Sequence, residues 1–151
     1  MVATIRRFVG DLCLRVLEDA DVTSRVVVAA HELFDNAIRH ASDGESQLHL
    51  EVRRVGVALD EGEIVLSTAN AIASDRAPVL VALLEEIAAN VDRGAFYQSL
   101  IKRVGHRSES PVGLGLGRIH AEAELDITGG VTEGIARVAA RGRFPLRVVP
   151  R

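Results

Sequence analysis

The sequence has no tryptophan, one tyrosine, four phenylalanines and a single cysteine. One thiol can form no internal disulfide and no cysteine-based metal site. Cys13 stands among apolar residues and reads as buried packing. The aromatics, Phe8, Phe34, Phe96, Tyr97 and Phe144, are too few for a base-stacking platform. Positive charge is not in excess either. The formal net charge is -3, so no basic field invites a nucleic-acid backbone, and no nucleic-acid partner is expected. Long apolar runs are missing as well. The opening MVATIRRFVGDLCLRVL is interrupted by Arg6, Arg7, Asp11 and Arg15, unlike a signal peptide or a membrane span. The expected setting is a reducing cytoplasm, with no membrane partner.

What is present suits an ordinary globular chain. The 151 residues are 48% hydrophobic and 26% charged, enough apolar material for one core. No repeat or low-complexity linker divides them, so 1–151 reads as one domain. Ile5, Phe8, Val9, Leu12 and Val16 recur at helical spacing over 3–19. Asp21 or Thr23 can cap a second helix that runs to about His40. After the Asp43-Gly44 turn, Leu48, Leu50 and Val52 alternate with polar residues, as in a half-buried strand. The turn at 60–62 and the run 63–68 make a hairpin with it. Helical spacing returns over 75–91 and 95–104. A polar stretch, 105–110, and Pro111-Val112 lead into Gly113-Leu114-Gly115-Leu116-Gly117, then a helix to about Glu124. Two short strands, 125–127 and 135–139, flank Gly129-Gly130. The order predicts an α+β, two-layer sandwich: helices on one face of a mixed, mostly antiparallel sheet.

Two segments carry candidate chemistry. In ELFDNAIRH, 32–40, the residues Glu32, Asn36 and His40 form a polar row that drifts about 40° per step along the margin of an apolar stripe. A carboxylate there can take a proton from a hydroxyl. An amide oxygen there is a hard ligand for magnesium. Every amphipathic helix also has polar residues beside its core face, so the row by itself fits a solvated flank equally well. His31 and His40 fall on different sides of the helix and lack the spacing of a zinc pair. The second segment, Gly113, Gly115 and Gly117 alternating with Leu114 and Leu116, lets backbone approach a ligand closely, or merely makes a tightly packed turn. A Rossmann reading fails, because a polar, proline-containing loop precedes the glycines.

Taken in order, ELFDNAIRH at 32–40, a strand hairpin, and GLGLGRIHAEAEL at 113–125 resemble the GHKL superfamily of ATPases and kinases. The resemblance implies the Bergerat type of sandwich, with ATP and Mg2+ as cofactors. It implies Asn36 as the magnesium ligand, Glu32 as the catalytic base, His40 near the nucleotide, and Gly113, Leu114, Gly115, Leu116 and Gly117 around the phosphates. The chain departs from the family at the Asp-x-Gly-x-Gly box after the second strand, reading Thr68-Ala69-Asn70-Ala71-Ile72. Asn70 can still accept a hydrogen bond from an adenine amino group, without the charge. Asn70, LVALLEEIAAN at 80–90, Tyr97-Gln98-Ser99-Leu100 and the later GLGL look similar to small bacterial SiaB-type kinases. That likeness implies a serine/threonine kinase of the anti-sigma-factor type, acting on a partner regulator of the anti-sigma-antagonist kind, and a possible homodimer. It makes 71–112 a modified nucleotide lid. The other reading is a degenerate module that docks a partner without ATP. A dimerisation helix pair bearing a phospho-accepting histidine does not fit before residue 22, so a complete sensor kinase is not expected.

Overall fold

A computed structural model describes residues 2–105 and 113–146. Helix α1, Val2–Leu17, buries Val9, Cys13 and Leu17, one side chain per turn. Glu18 ends it in a left-handed conformation, φ 55°. Asp19 then starts α2, Ala20–His40. Its carboxylate accepts from the backbone N–H of Asp21 and Val22, both at 3.0 Å. The cap is thus two residues earlier than Asp21, the earlier of the two expected caps, because the left-handed turn at Glu18 lets the helices follow almost without a loop. Val22, Val26, Ala29, Ala30, Leu33, Phe34 and Ala37 make the buried stripe of α2.

Strands β1, Ser46–Val55, and β2, Glu61–Ala71, form the expected hairpin. Along β2, Ile64, Leu66, Thr68 and Asn70 point into the core and alternate with half-exposed residues. Helices α3, Ala77–Ala89, and α4, Arg93–Gly105, follow. Helix α5, Leu114–Arg118, runs straight into a π-helical turn, Ile119–Ala123. Strands β3, Asp126–Thr132, and β4, Ile135–Pro145, close the fold. The sheet order is β1-β2-β4-β3, and every pairing in it is antiparallel. No parallel pair occurs among the described residues, so the sheet is not mixed: two hairpins join directly through β2 and β4, with no crossover between parallel strands. The helices lie against one face, and α2 crosses β2.

The closing hairpin corrects one expectation. Gly129 and Gly130 lie inside β3, and the turn is Glu133-Gly134, both left-handed at φ 52° and 74°. That conformation at both central residues is the two-residue turn matched to strand twist. Of the expected lid, 71–112, residues 71–105 are placed and form the end of β2, α3 and α4; the rest of the polar stretch 105–110, with Pro111 and Val112, lies outside the described residues.

Among the described residues, twenty-five buried side chains form one core, from Val9 on α1 to Leu146 beyond β4. Cys13 lies within it, fully shielded from solvent, and burial pushes its thiol pKa up to about 11. An aromatic disulfide reagent at about pH 8 is therefore expected to leave Cys13 unlabelled in the native protein and to titrate one thiol per chain once denaturant unfolds it. Rapid labelling of the native protein would show that α1 does not seal the core.

Candidate functional site

The site is built where α2, the β2–β4 pair, α3 and the start of α5 meet. Asn36 and His40, successive members of the polar row, line one cavity with Thr68 and Asn70 of β2. Ala136 and Val138 of β4 extend its floor, because they pair in register with Asn70 and Thr68. Ile72, Arg76, Val79, Leu80 and Leu83 form the opposite wall, and Gly113 and Leu116 close it. The cavity is therefore lined mostly by apolar side chains, with Asn36, His40, Thr68, Asn70 and Arg76 as its polar groups. Its free volume is only about 30 Å3, room for a water or two and not for a nucleoside. A nucleoside would need the slot to widen.

Asn70 is buried at the inner end of the slot. Its Nδ2 donates to the carbonyl of Ala71 at 3.0 Å, which turns Oδ1 the other way as an acceptor. His40 is kept neutral. Burial holds its pKa below the ordinary imidazole value, the cations of Arg76 and Arg39 push it further down, and Asp35 opposes them.

Three glycines set the position of α5. Gly113 is left-handed, φ 96°, and a Cβ there would lie 2.7 Å from Leu83 Cδ2 of α3. At Gly115 a Cβ would lie 2.9 Å from Glu32 Oε2 of α2. At Gly117 it would lie 2.5 Å from Leu100 Cδ1 of α4. Each glycine admits a side chain from a different helix, so the alternation is explained by packing as well as by ligand approach.

Glu32 sits one turn before Asn36 and lies outside the cavity. Its Oε1 accepts from Arg118 Nη1 at 2.9 Å, while Arg118 Nε donates to Glu122 at 2.7 Å. The Arg118 guanidinium holds its proton more firmly than usual, first through Glu122 and then through Glu32. The structure thus brings Asn36, His40, Asn70, Gly113 and Leu116 to one cavity. Leu114 packs on the core, and Glu32, Gly115 and Gly117 stand beside the cavity in the α2–α5–α4 contact. Thr68, Arg76 and Arg118 were not anticipated. Thr68 was within reach of the strand period, two residues before Asn70, whereas nothing in the pattern around Arg76 marks it. Among the described residues no group of three or more His, Cys, Asp or Glu is arranged to hold a metal. A cation here would rest on Asn36 and on groups brought by its ligand. Among the same residues no helix is long and apolar enough to cross a membrane.

The residues present fit a purine nucleotide in kind: an apolar slot for a base, an amide acceptor at its end, and a carboxamide near the glycine turn. Comparison with known families gives an independent finding. A family profile described as the histidine kinase-like ATPase domain matches residues 1–125, from α1 through the π-helical turn. Comparison with curated proteins gives no match.

The histidines give this region a pH signature. His120 in the π-helical turn is also buried, and burial and Arg93 hold its pKa down. For both groups the unfolded chain takes up a proton first as pH falls, so stability is lost below the ordinary imidazole value and unaffected above it. Urea midpoints are expected to fall between about pH 7.5 and about pH 5.5, and His40→Gln to shrink that fall. An unchanged pH dependence in the variant would show that His40 titrates as a solvated group.

Proposed function

The chain belongs to the histidine kinase-like ATPase domain family, and from that premise we propose that it binds ATP with magnesium and transfers a phosphoryl group to a serine or threonine of a partner regulator protein. One observation carries the reading: Asn36 of α2, Asn70 of β2 and Gly113 before α5 line the same cavity. Three segments far apart in sequence converge there: the two whose motifs suggested a nucleotide, and the strand end where the Asp-x-Gly-x-Gly box is missing.

In this reading Asn70 Oδ1 accepts from the amino group of the base, and Thr68 adds a hydroxyl beside it. Ile72, Leu80, Ala136 and Val138 exclude water from the base faces. Asn36 offers its carboxamide oxygen to magnesium, which would neutralise charge on the phosphates. Neutral His40 lies on the same helix face and can donate or accept a hydrogen bond without adding charge. Arg76 is the charged residue of the cavity wall and supplies the cation that attracts an anionic ligand. Glu32 takes the proton from the attacking hydroxyl. Arg118 holds that carboxylate in one orientation and must loosen its hydrogen bond for the proton to be accepted. The type of partner rests on sequence likeness at Asn70, 80–90 and 97–100.

A second reading, a docking module without nucleotide, is favoured by the same cavity's small volume and by the missing Asp-x-Gly-x-Gly box. Magnesium-ATP decides between them. At millimolar concentration it is expected to raise the melting temperature by a few degrees, about 2–3 kcal/mol of stabilisation at a hundredfold excess over Kd. Asn36→Ala is expected to abolish the shift. No shift in the natural protein would leave the docking module.

Removing the base separates binding from chemistry. Glu32→Gln is expected to keep the Kd for ATP within about twofold while ADP production falls about a hundredfold or more. Loss of binding in parallel with turnover would assign Glu32 to structure instead.

A further inference from the structure

Thr68 and Asn70 have more hydrogen-bonding capacity than the fold uses. Both line the cavity from the inner face of β2, and both are buried, 6% and 8% exposed. Pairing with β1 on one side and β4 on the other fixes their backbone. The Thr68 hydroxyl makes no hydrogen bond among the described residues. A carboxamide nitrogen carries two hydrogens, and Asn70 gives one of them to the Ala71 carbonyl at 3.0 Å. The other hydrogen, and Oδ1 beside it, have no partner among the described residues. Even the bond to Ala71 can be released without orphaning its acceptor. That carbonyl already accepts from the Ser42 backbone N–H, also at 3.0 Å.

The chemistry missing from the cavity matters as much. No aspartate or glutamate is among its lining residues. A carboxylate accepts only, so beside a base it would admit an amino group and repel a carbonyl. A carboxamide and a hydroxyl each donate as well as accept. A site rejects the wrong ligand strongly when that ligand leaves a buried polar group unpaired. Here an amino group pairs with Asn70 Oδ1, and a carbonyl pairs with Asn70 Nδ2 or the Thr68 hydroxyl. The exchange needs only rotation of an amide plane and of a hydroxyl, while the paired backbone stays in place. Ile72, Leu80, Ala136 and Val138 meet the base faces by contacts that are blind to the substituent.

On the reading that this cavity holds the base of a nucleotide, we infer that Asn70 and Thr68 accept 6-oxopurine nucleoside triphosphates as well as ATP. The substrate class is then purine nucleoside triphosphates with either an amino group or a carbonyl at the position that faces Asn70. The phosphate end is unaffected, because Asn36 and Gly113 lie on other elements.

Calorimetric titration of the full chain with magnesium-ATP and magnesium-ITP tests this. The two ligands differ only at positions 1 and 6 of the purine ring. The Kd for ITP is expected to lie within about tenfold of that for ATP, where a site built for one substituent would separate them by far more. Asn70→Asp, shown to be folded by circular dichroism, is expected to raise the ratio of the ITP to the ATP Kd about tenfold or more, because the carboxylate has no hydrogen for the carbonyl. The comparison in the natural protein stands without any variant. ATP binding with ITP more than about tenfold weaker overturns this inference and leaves the nucleotide reading intact. Binding of neither overturns that reading, and this inference with it. An unchanged ratio in Asn70→Asp overturns the assignment of base recognition to Asn70.

Discussion

Where Gly113, Gly115 and Gly117 come to rest there is no room for three methyl groups. Leu83 of α3, Glu32 of α2 and Leu100 of α4 occupy the places those methyls would take. The order of the helices over the sheet depends on this contact. It lets α5 descend between three helices, and it fixes the distance from the polar row of α2 to the backbone at Gly113. The Arg118–Glu32 hydrogen bond ties α5 to α2 once more. That ion pair is partly solvent-exposed and contributes at most about 1 kcal/mol, so its role is orientation more than stability. The close glycine packing carries the larger load, because a displaced helix would leave a void or a clash in a densely filled core.

The same contact explains why the cavity is narrow. Leu83 rests on Gly113 and, with Leu80, narrows the slot above Asn70. Widening the slot would therefore involve α3 and leave the sheet pairing intact. Helix α3 suits such motion: of its thirteen residues only Leu83, Leu84 and Ile87 are buried. Polar groups at the inner end remain in place whether or not the wall opens, since Thr68 and Asn70 are held by strand pairing on both sides.

Much of this was legible in the chain. The period of α2 placed Asn36 and His40 in one row, whereas Asn70 lies beyond the strand expected over 63–68 and its inward position follows from β2 running on to Ala71. Resemblance supplied the pairing of these segments with the glycine motif. Other features depend on contacts that no local pattern encodes. The register that puts Ala136 and Val138 beside Asn70 and Thr68 is fixed by a strand more than sixty residues later. Gly129-Gly130 looked like a turn because glycine pairs so often are, yet the tighter Glu133-Gly134 turn has the hand that the twisted hairpin needs. Glu32 was expected inside the site with Asn36. A helix places residues four apart in one row, but it does not say which of them a neighbouring helix will engage: Arg118 of α5 hydrogen-bonds Glu32.

The central claim is that one cavity joins the amide row of α2, the end of β2 and the glycine turn into a nucleotide site. Amide-resolved NMR during a magnesium-ATP titration tests it directly. The account predicts that the side-chain amides of Asn36 and Asn70 and the backbone amide of Gly113 shift together along one binding curve, while the exposed face of β1 stays still. Shifts confined to any other surface, or none at saturating nucleotide, would contradict it.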